Sequence, residues 1–454
     1  MKQPISYYST NLHAKSVTFR DALLKGLAPD RGLYMPEAIP VLSPDELRSF
    51  SGKPYAEIAY AVSRKFLHSE IPDAELRAIV KDAYNFPVPL EQVYDRKYVM
   101  RLDQGPTASF KDFAARMMGR LMQYFLTQEQ RKLLILTATS GDTGSAIANA
   151  FYGLDNIKVL VLFPEKEVTD RQRKQMATLH HNIQILALDG KFDDCQALVK
   201  QAFNDPDLDY LHLSSANSIN IGRLLPQIIY YIYAFAHLRH GDEEVIFSVP
   251  SGNFGDLMGG LLAKQMGLPV KKFLVVTNEN HEFPTFVETG KYEKIVPSIN
   301  CVSSAMNVGH PSNVARLIAL YGGEMDETGH ISKTPDLDAI RRDMYAVSIS
   351  DAQTKAAIKT AYDNHRLLLE PHGAVAWAGL MHYLHAQPQH DTPDQLYISL
   401  ETAHPAKFPQ EIREILDLDP DLPPSLEGLE EHDESYVTMT GDYQEFKHYL
   451  QETY

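Results

Sequence analysis

Residues 133–146 read Leu-Leu-Ile-Leu-Thr-Ala-Thr-Ser-Gly-Asp-Thr-Gly-Ser-Ala. The apolar half of this stretch predicts a buried β-strand, and the half with small and hydroxyl residues predicts a loop that leads into a helix. Glycine, serine and threonine at a strand end leave backbone N–H groups free to face an anion. A tight turn before an N-capped helix explains the same residues equally well. The stretch is neither a Walker loop nor a GxGxxG motif.

Similar apolar runs recur along the chain and alternate with segments of helical periodicity. They are residues 98–102, 133–138, 159–163, 183–188, 245–249, 273–277 and 396–400. Continuous apolar strands between helices are typical of parallel sheets that helices cover on both faces. We therefore predict an α/β fold, in which ligands bind beyond the carboxyl ends of the strands.

The two ends of the chain differ from this central pattern. Residues 1–95 are predicted to be a mainly helical extension, because Ser43-Pro44 and Pro72-Asp73 are typical helix starts. We assign residues 96–410 to the α/β catalytic core, with two subdomains of which the smaller covers roughly 115–220. Residues 411–454 are predicted to be an acidic C-terminal tail. From Glu414 onward this tail has twelve acidic residues and one basic residue, and we interpret it as a solvated surface that aids solubility.

Composition excludes several classes of protein. The 454 residues carry a formal charge of −16, which argues against a surface that binds nucleic acid. The apolar stretch 224–238 falls short of the roughly 20 residues that cross a bilayer, and the first residues lack the apolar run of a secretory signal. The two cysteines, Cys195 and Cys301, match no disulfide framework or metal-ligand spacing, so we expect a cytoplasmic protein without a metal.

Two further strand-to-helix loops carry unusual residues. After the run 98–102, the loop 103–110 ends at Lys111, which is predicted to begin a helix. Near positive helix ends and away from water, the pKa of this lysine could fall and its amine could act as a nucleophile. A lysine that merely extends from the first turn toward solvent is the simpler explanation of Lys111 alone. After the run 245–249, Ser251-Gly252-Asn253-Phe254-Gly255-Asp256 describes a second anion-binding loop.

The three loops together provide a candidate amine nucleophile and two candidate anion-binding loops. A phosphorylated aldehyde cofactor needs one lysine for covalent attachment and one loop that binds its phosphate. A second anion-binding loop would then be available for the substrate, including one that carries its own phosphate.

At this point the chain resembles a known family, the threonine synthases of the long-chain type. These belong to the fold-type II, tryptophan-synthase-β-like group of enzymes that use pyridoxal 5'-phosphate. The resemblance runs from residue 7 to about residue 408. Its motifs occur in the family order and are Asp30-Arg31-Gly32-Leu33-Tyr34-Met35-Pro36, Gly105-Pro106-Thr107, Phe110-Lys111-Asp112-Phe113, Ser140-Gly141-Asp142-Thr143-Gly144, Ser215-Ala216-Asn217-Ser218-Ile219-Asn220 with Arg223, Ser251-Gly252-Asn253-Phe254-Gly255-Asp256 and Glu401-Thr402-Ala403-His404-Pro405-Ala406-Lys407-Phe408.

The resemblance implies parallel sheets in two interleaved domains and a carbon–oxygen lyase acting on phosphates. The implied reaction converts O-phospho-L-homoserine and water to L-threonine and phosphate. Lys111 would form the internal aldimine with the cofactor and then shuttle protons at Cα, Cβ and Cγ. The loop of Gly252, Asn253, Phe254, Gly255 and Asp256 would bind the cofactor phosphate. The Thr402 hydroxyl would face the pyridine nitrogen. A monomer or a homodimer is expected, with a small-molecule substrate.

The resemblance also implies a substrate pocket. The candidates are Ser140, Asp142, Thr143 and Asn217, with Arg223 for an anionic group of the substrate. A structural role for Arg223, capping a helix over residues 219–240, is an equal alternative. His372 and His404 are interpreted as packed, hydrogen-bonded residues rather than as acid–base groups.

The chain departs from the family pattern at two places. These are residues 165–170 and Gly373, where threonine is expected. A related enzyme that uses the same cofactor and acts on O-phosphoserine or O-phosphothreonine is therefore the alternative function.

Overall fold

The computed structural model describes residues 4–139 and 141–454. The N-terminal region is mainly helical, as predicted, and its capping residues explain where its helices begin. Ser43 and Glu46 form a capping box, with Pro44 at the first helical position. The elements are β1 (Tyr7–Ser9), α1 (Phe19–Lys25), β2 (Tyr34–Pro36), α2 (Pro44–Ser49), α3 (Tyr55–Leu67) and α4 (Asp73–Ala83).

Strands and helices then alternate along the chain. The first half of this region contains β3 (Leu90–Tyr94), β4 (Lys97–Arg101), α5 (Lys111–Glu129), β5 (Leu133–Ala138), α6 (Asp142–Phe151), β6 (Ile157–Pro164), α7 (Asp170–Ala177), β7 (Ile183–Leu188), α8 (Phe192–Phe203), β8 (Leu213–Ser214), α9 (Ile221–Leu224) and α10 (Ile228–Leu238). The second half contains β9 (Val245–Pro250), α11 (Gly255–Gln265), β10 (Val270–Thr277), α12 (Glu282–Thr289), α13 (Val314–Leu320), β11 (Glu324–Met325), β12 (Ile331–Lys333), α14 (Leu337–Asp343), β13 (Met344–Ser348), α15 (Asp351–His365), α16 (Pro371–Ala386), β14 (Leu396–Glu401), α17 (Pro409–Leu416), β15 (Val437–Met439) and α18 (Tyr443–Thr453).

The strands form two main sheets. The larger has the order β13-β10-β9-β14-β4-β3, in which every pair is parallel except the antiparallel edge pair β3–β4. The smaller has the order β15-β7-β6-β5-β8 and is parallel throughout. Strands β5, β9 and β14, each of which has a neighbour on both sides, are buried along their whole length. The predicted α/β fold with helix-covered parallel sheets is therefore confirmed.

One predicted helix is divided in the structure. The segment 219–240 contains α9, a 3-10 turn over Leu225–Gln227, and then α10. Pro226 lies within that turn and has no N–H to donate to a helical hydrogen bond. The break places the short helix α9, which carries Arg223, just after β8.

The interpretation of the C-terminal segment as a solvated surface is wrong for residues 437–453. Strand β15 pairs with β7 in register, with Thr438 opposite Ala187. Helix α18 places Phe446 and Leu450, both fully buried, in the core of the smaller sheet. The acidic residues obscured this apolar spacing of four, which is typical of an amphipathic helix.

Within residues 4–139 and 141–454, none of the helices combines the length and apolar character needed to cross a bilayer. The domain boundaries predicted from the sequence stay a prediction.

Candidate active site

The candidate cofactor residues follow three neighbouring strands of the larger sheet. Strands β4, β14 and β9 lie side by side and parallel, so their carboxyl ends meet at one edge. The loop after β4 leads to Lys111, the loop after β14 begins with Thr402, and the loop after β9 is residues 251–254. Strand order thus brings together side chains that are separated by up to 291 positions in the sequence.

Lys111 is the first residue of α5, as predicted. Its loop is tied to the end of β14, because the N–H of Phe110 donates to the carbonyl of Thr402 at 2.8 Å. Within the loop, the buried carboxylate of Asp112 accepts hydrogen bonds from the N–H (2.9 Å) and the hydroxyl (2.7 Å) of Thr107. These bonds fix the start of the helix, and with it the position of the lysine.

The surroundings of Lys111 lower the pKa of its amine. Its side chain is only 14% exposed, and its Nζ lies 3.8 Å from Oδ2 of Asp142. Burial lowers the pKa of the Lys111 amine; the carboxylate of Asp142 opposes this shift, and the positive charges of Lys407 and Arg223 add to it. The role of this amine as a nucleophile stays a prediction, which a lowered pKa would favour.

Lys407 also belongs to this site. It lies in the motif of residues 401–408, but no role was predicted for it from the sequence. It is fully buried, and its Nζ donates to Oδ1 of Asp142 at 2.6 Å and to the carbonyl of Thr107 at 2.9 Å. Burial alone would raise the pKa of Asp142, but Lys407 and Lys111 outweigh it and hold that pKa well below its usual range. The position of Lys407 between the apolar residues Ala406 and Phe408 was the available signal.

The loop after β9 has the geometry of an anion-binding loop. Phe254 adopts a left-handed conformation, with φ of 63°, and α11 begins at the next residue. A side chain at Gly252 would approach Met306 Cα to 3.0 Å, so the backbone runs close to a neighbouring segment there. Within the described part of the chain, the N–H groups of residues 252–255 make no hydrogen bond. Free N–H groups at the N-terminus of an 11-residue helix suit a phosphate.

Asp256 plays a different part in the same loop. Its carboxylate accepts from the N–H of Leu257 at 2.8 Å and its carbonyl accepts from the hydroxyl of Tyr231 at 3.0 Å. Burial raises the pKa of Asp256 to about 7. These contacts hold the first turn of α11 and occupy the Asp256 carboxylate within the protein.

Thr402 is joined to a glutamate that sequence reasoning missed. Its hydroxyl lies 3.4 Å from Oε1 of Glu370, which is fully buried. Glu370 caps α16 by accepting from the N–H groups of His372 (2.8 Å) and Gly373 (2.9 Å). The pair Glu370-Pro371 at the helix start was the signal in the sequence.

The two histidines are packed and hydrogen-bonded, as interpreted from the sequence. His372 Nδ1 lies 2.5 Å from Glu370 Oε2, and its Nε2 accepts from the N–H of Ala305 at 3.0 Å, so both ring nitrogens are occupied. His404 Nδ1 accepts from the N–H of Ala406 at 3.2 Å. Burial lowers the pKa of His404, which favours its neutral form.

The departure from the family pattern at Gly373 has a structural cause. A Cβ at this position would lie 1.5 Å from Oε2 of Glu401, so threonine would require the Glu401 side chain to move. Glu401 is fully buried and ends β14; its Oε1 accepts from the N–H of Glu370 at 2.8 Å. Burial and the charge of Glu370 raise the pKa of Glu401 well above its usual range. The Glu401 carboxyl therefore fills the space that a side chain at position 373 would need.

The candidate substrate residues come from the smaller sheet. Asp142 and Thr143 open α6 after β5, whereas Asn217 and Arg223 follow the adjacent strand β8. Asn217 has a buried amide oxygen without a hydrogen-bond partner in the described residues. Ser140 lies outside the described residues.

Arg223 is a buried cation, and its choice between substrate binding and helix capping stays a prediction. It is 3% exposed, and its Nη1 donates to the carbonyl of Ala216, which lies in the loop before its helix. Burial lowers the pKa of Arg223 to about 10, so the group is still charged at neutral pH. Its Nε is buried and finds no acceptor in the described part of the chain. A buried cation with an unused donor suits an incoming anion.

Helix α7 connects the two halves of the site. Its start fits the family less well over residues 165–170, yet Gln172 and Gln175 reach the site. Gln172 donates to Oδ1 of Asp142 at 3.0 Å, and Gln175 donates to the carbonyl of Thr107 at 3.2 Å. Arg171 donates to the carbonyl of Ala406. The altered segment therefore leaves the contacts around Asp142 in place.

Taken together, these residues fit a phosphorylated aldehyde cofactor. The free N–H groups of residues 252–255 provide for its phosphate, the buried amine of Lys111 for its aldehyde and the hydroxyl of Thr402 for a ring nitrogen. In the described residues, no group of three or more His, Cys, Asp and Glu side chains is placed to hold a metal ion.

Comparisons with known proteins agree with this chemistry. Three family models match: threonine synthase N terminus over residues 6–84, pyridoxal-phosphate dependent enzyme over 87–395, and threonine synthase, C-terminal, over 374–450. The threonine synthase of Haemophilus influenzae is 38% identical over 98% of this chain and 99% of its own.

Two solved structures are similar over nearly the whole chain. The pyridoxal phosphate-bound threonine synthase from Brucella melitensis has a TM-score of 0.92 and is 35% identical, with 99% of each chain covered. The threonine synthase from Escherichia coli has a TM-score of 0.87 at 35% identity and covers 99% of this chain and all of its own.

Proposed function

Because the chain belongs to the threonine synthase family of pyridoxal-phosphate dependent enzymes, we propose that it converts O-phospho-L-homoserine and water to L-threonine and phosphate. Its membership of the fold-type II class and its use of pyridoxal 5'-phosphate confirm what the sequence motifs predicted. The alternative, a lyase for O-phosphoserine or O-phosphothreonine, is not favoured, because the matched relatives are threonine synthases.

The observation that carries this proposal is the pairing of Lys111 with two separate anion-binding regions. The N–H groups of residues 252–255 support one phosphate, and the buried Arg223 guanidinium, with its unused Nε, supports a second anionic group. A cofactor phosphate and a phosphorylated amino acid together need both regions.

Lys111 is proposed to bind the cofactor and to move protons. When bound, pyridoxal phosphate supplies an aldehyde for covalent attachment and a ring that takes up electron density from the substrate Cα. The Lys111 amine would take up a proton from Cα and then one from Cβ, and phosphate would leave from Cγ. A proton would then be delivered to Cγ, the hydroxyl of water would add at Cβ, and a proton would return to Cα, while the second proton of water leaves with the phosphate. The lowered pKa of Lys111 supports this role, since a base near neutral pH must be largely unprotonated.

Neighbouring residues are proposed to orient the reactants. The Thr402 hydroxyl, beside Glu370, would face the pyridine nitrogen. Asp142, Thr143 and Asn217 would line the substrate pocket, with Asp142 Oδ2 3.8 Å from the Lys111 amine. Arg223 would bind the substrate carboxylate or phosphate through its unused Nε. The role of Ser140 stays a prediction.

We also propose a cytoplasmic location and a monomer or homodimer that binds neither nucleic acid nor membranes. Both cysteines are free and buried, which suits a reducing compartment. Gel filtration with light scattering would measure the number of chains in the particle.

The test is a joint assay of phosphate and threonine with the purified enzyme and O-phospho-L-homoserine. Equal amounts of the two products are expected from the wild type. Lys111→Ala should lower the rate by about 10²–10⁴-fold, because it removes the proton-transferring group. Lys166→Ala is the matched control, since that lysine is 78% exposed and pairs with Asp189 on the surface. Phosphate release without threonine would instead assign the chain to an eliminating lyase.

A further inference from the structure

The buried contact between Lys407 and Asp142 joins the two sheets at the reacting lysine. Lys407 lies in a 3-10 turn over Pro405–Lys407, shortly after β14 of the larger sheet. Asp142 is the first residue of α6, after β5 of the smaller sheet. One oxygen of Asp142 is 2.6 Å from Lys407 Nζ, and the other is 3.8 Å from Lys111 Nζ. A single carboxylate therefore stands between two amines.

Asp142 contacts the two lysines at different distances. The short contact to Lys407 is a charge-assisted hydrogen bond, whereas 3.8 Å to Lys111 is beyond hydrogen-bond distance. Lys407 is 0% exposed, and a buried ammonium is costly unless it is paired. Its charge is therefore balanced mainly by Asp142, and Lys111 is left without a full counterion.

We propose that Lys407 is a positioning residue of this enzyme: it binds Asp142 Oδ1, holds that carboxylate beside Lys111 and takes up its negative charge, so that the Lys111 amine stays neutral and available as a base. This inference rests on the role proposed above for Lys111. Lys407 itself does not touch the reacting atoms, so it acts through Asp142.

The other charged groups around the two lysines do not replace this effect. Arg223, Glu370 and Asp256 act electrostatically with Lys111, and Asp112 and His404 with Lys407. The carboxylate of Asp112 accepts hydrogen bonds from Thr107. The carboxylate of Glu370 accepts hydrogen bonds from the N–H groups at the start of α16. Asp142 is the group of this set for which ion pairs with both lysines are found within the described residues.

The experiment measures the pKa of Lys111 directly in the full-length protein without cofactor. The rate of acetylation of Lys111 by acetic anhydride is followed against pH by mass spectrometry, with the exposed Lys166 as an internal reference. Lys407→Gln keeps a hydrogen-bond donor but removes the charge. It should raise the pKa of Lys111 by about 1–3 units, the range for an opposite charge a few ångströms away.

Three further variants make the result specific. Lys407→Arg should restore most of the wild-type value. Asp142→Asn in the Lys407→Gln background should abolish the shift, because the carboxylate that would pair with Lys111 is gone. Lys97→Gln is the matched control, because that lysine is 1% exposed and pairs with Asp391. Lys97 is the first residue of β4, whereas the loop to Lys111 follows the last one, so the pKa of Lys111 should be unaffected.

In the holoenzyme with O-phospho-L-homoserine, Lys407→Gln should move the acid limb of the kcat profile upward by the same amount. An unchanged pKa of Lys111 in a folded Lys407→Gln variant would overturn the proposal, and so would a shift that Asp142→Asn fails to reverse. If Lys407→Gln does not fold, Lys407→Arg decides alone: a raised pKa there would contradict the proposal. Because labelling uses no substrate, it gives its answer even if the wild type makes no threonine, an outcome that would instead refute the proposed function.

Discussion

Gly373 offers a sharp test of how the site is packed. Replacing it with alanine would place a Cβ 1.5 Å from Oε2 and 2.5 Å from Cδ of Glu401. The Glu401 side chain would have to move, and the hydrogen bond that its Oε1 accepts from Glu370 would be lost. Neither group has solvent nearby to replace that bond, since both residues are fully buried.

The size of the effect follows from three contributions. Overpacking of a buried site costs about 1–3 kcal/mol, and a buried N–H left unpaired costs about 1–3 kcal/mol. Alanine favours the helix over glycine by about 1 kcal/mol, which offsets part of this cost. Gly373→Ala should therefore lower the free energy of unfolding by about 1–5 kcal/mol. It should also weaken cofactor binding, because Glu401 directly precedes Thr402.

Denaturant unfolding of the purified variants measures this change as a shift of the midpoint at unchanged slope. Gly441→Ala is the matched control, because a Cβ there meets no atom within 4 Å. The double variant Gly373→Ala/Glu401→Ala removes the clashing carboxyl, so it should be more stable than Gly373→Ala alone. The reasoning fails if Gly373→Ala unfolds at the wild-type midpoint, or if removing the Glu401 carboxyl gives no recovery.

Two further predictions concern the C-terminal helix and the substrate pocket. Hydrogen bonds from Tyr443 (2.7 Å) and Lys447 (2.9 Å) lower the pKa of Asp205 to about 2. Because this folded-state pKa is below the usual ~3.9, the contact stabilises the fold above pH ~4 and is lost as the pH falls toward ~2. Asp205→Asn should flatten that part of the stability profile, measured by unfolding midpoints across this range. Arg223→Lys keeps the charge but loses the guanidinium, so kcat/KM for O-phospho-L-homoserine should fall about 10- to 100-fold with an unchanged visible cofactor band. An unchanged kcat/KM would assign Arg223 a structural role.

The local elements of this fold could be predicted because their signals are local. The runs 133–138 and 183–188 match β5 and β7 in both bounds, since a continuous apolar run between turn residues is typical of a buried strand. Lys111 at a helix start could be predicted for the same reason. The insertion of β14 between β4 and β9 could not, because strand order depends on contacts between distant segments.

The missed residues of the site are buried charges whose partners are distant in sequence. Lys407 meets Asp142 across 265 positions and Thr107 across 300. Glu370 meets Thr402 across 32. A single sequence shows that such a residue lies in an apolar setting, but it does not show which opposite charge folds against it. The C-terminal segment was misjudged for a simpler reason: net charge was weighed above the spacing of Phe446 and Leu450.

The pairing of β15 with β7 has a consequence for synthesis on the ribosome. Strand β7 ends at Leu188, whereas β15 ends at Met439, about 250 residues later. At roughly 5–20 residues per second, the edge of β7 stays uncovered for about 10–50 s of translation. During this time the apolar surface that Phe446 and Leu450 later cover is open to water, to other nascent chains and to chaperones. The last strand of the smaller sheet, β15, is therefore synthesised after the last strand of the larger sheet, β14. The other four strands of the smaller sheet are synthesised before β9.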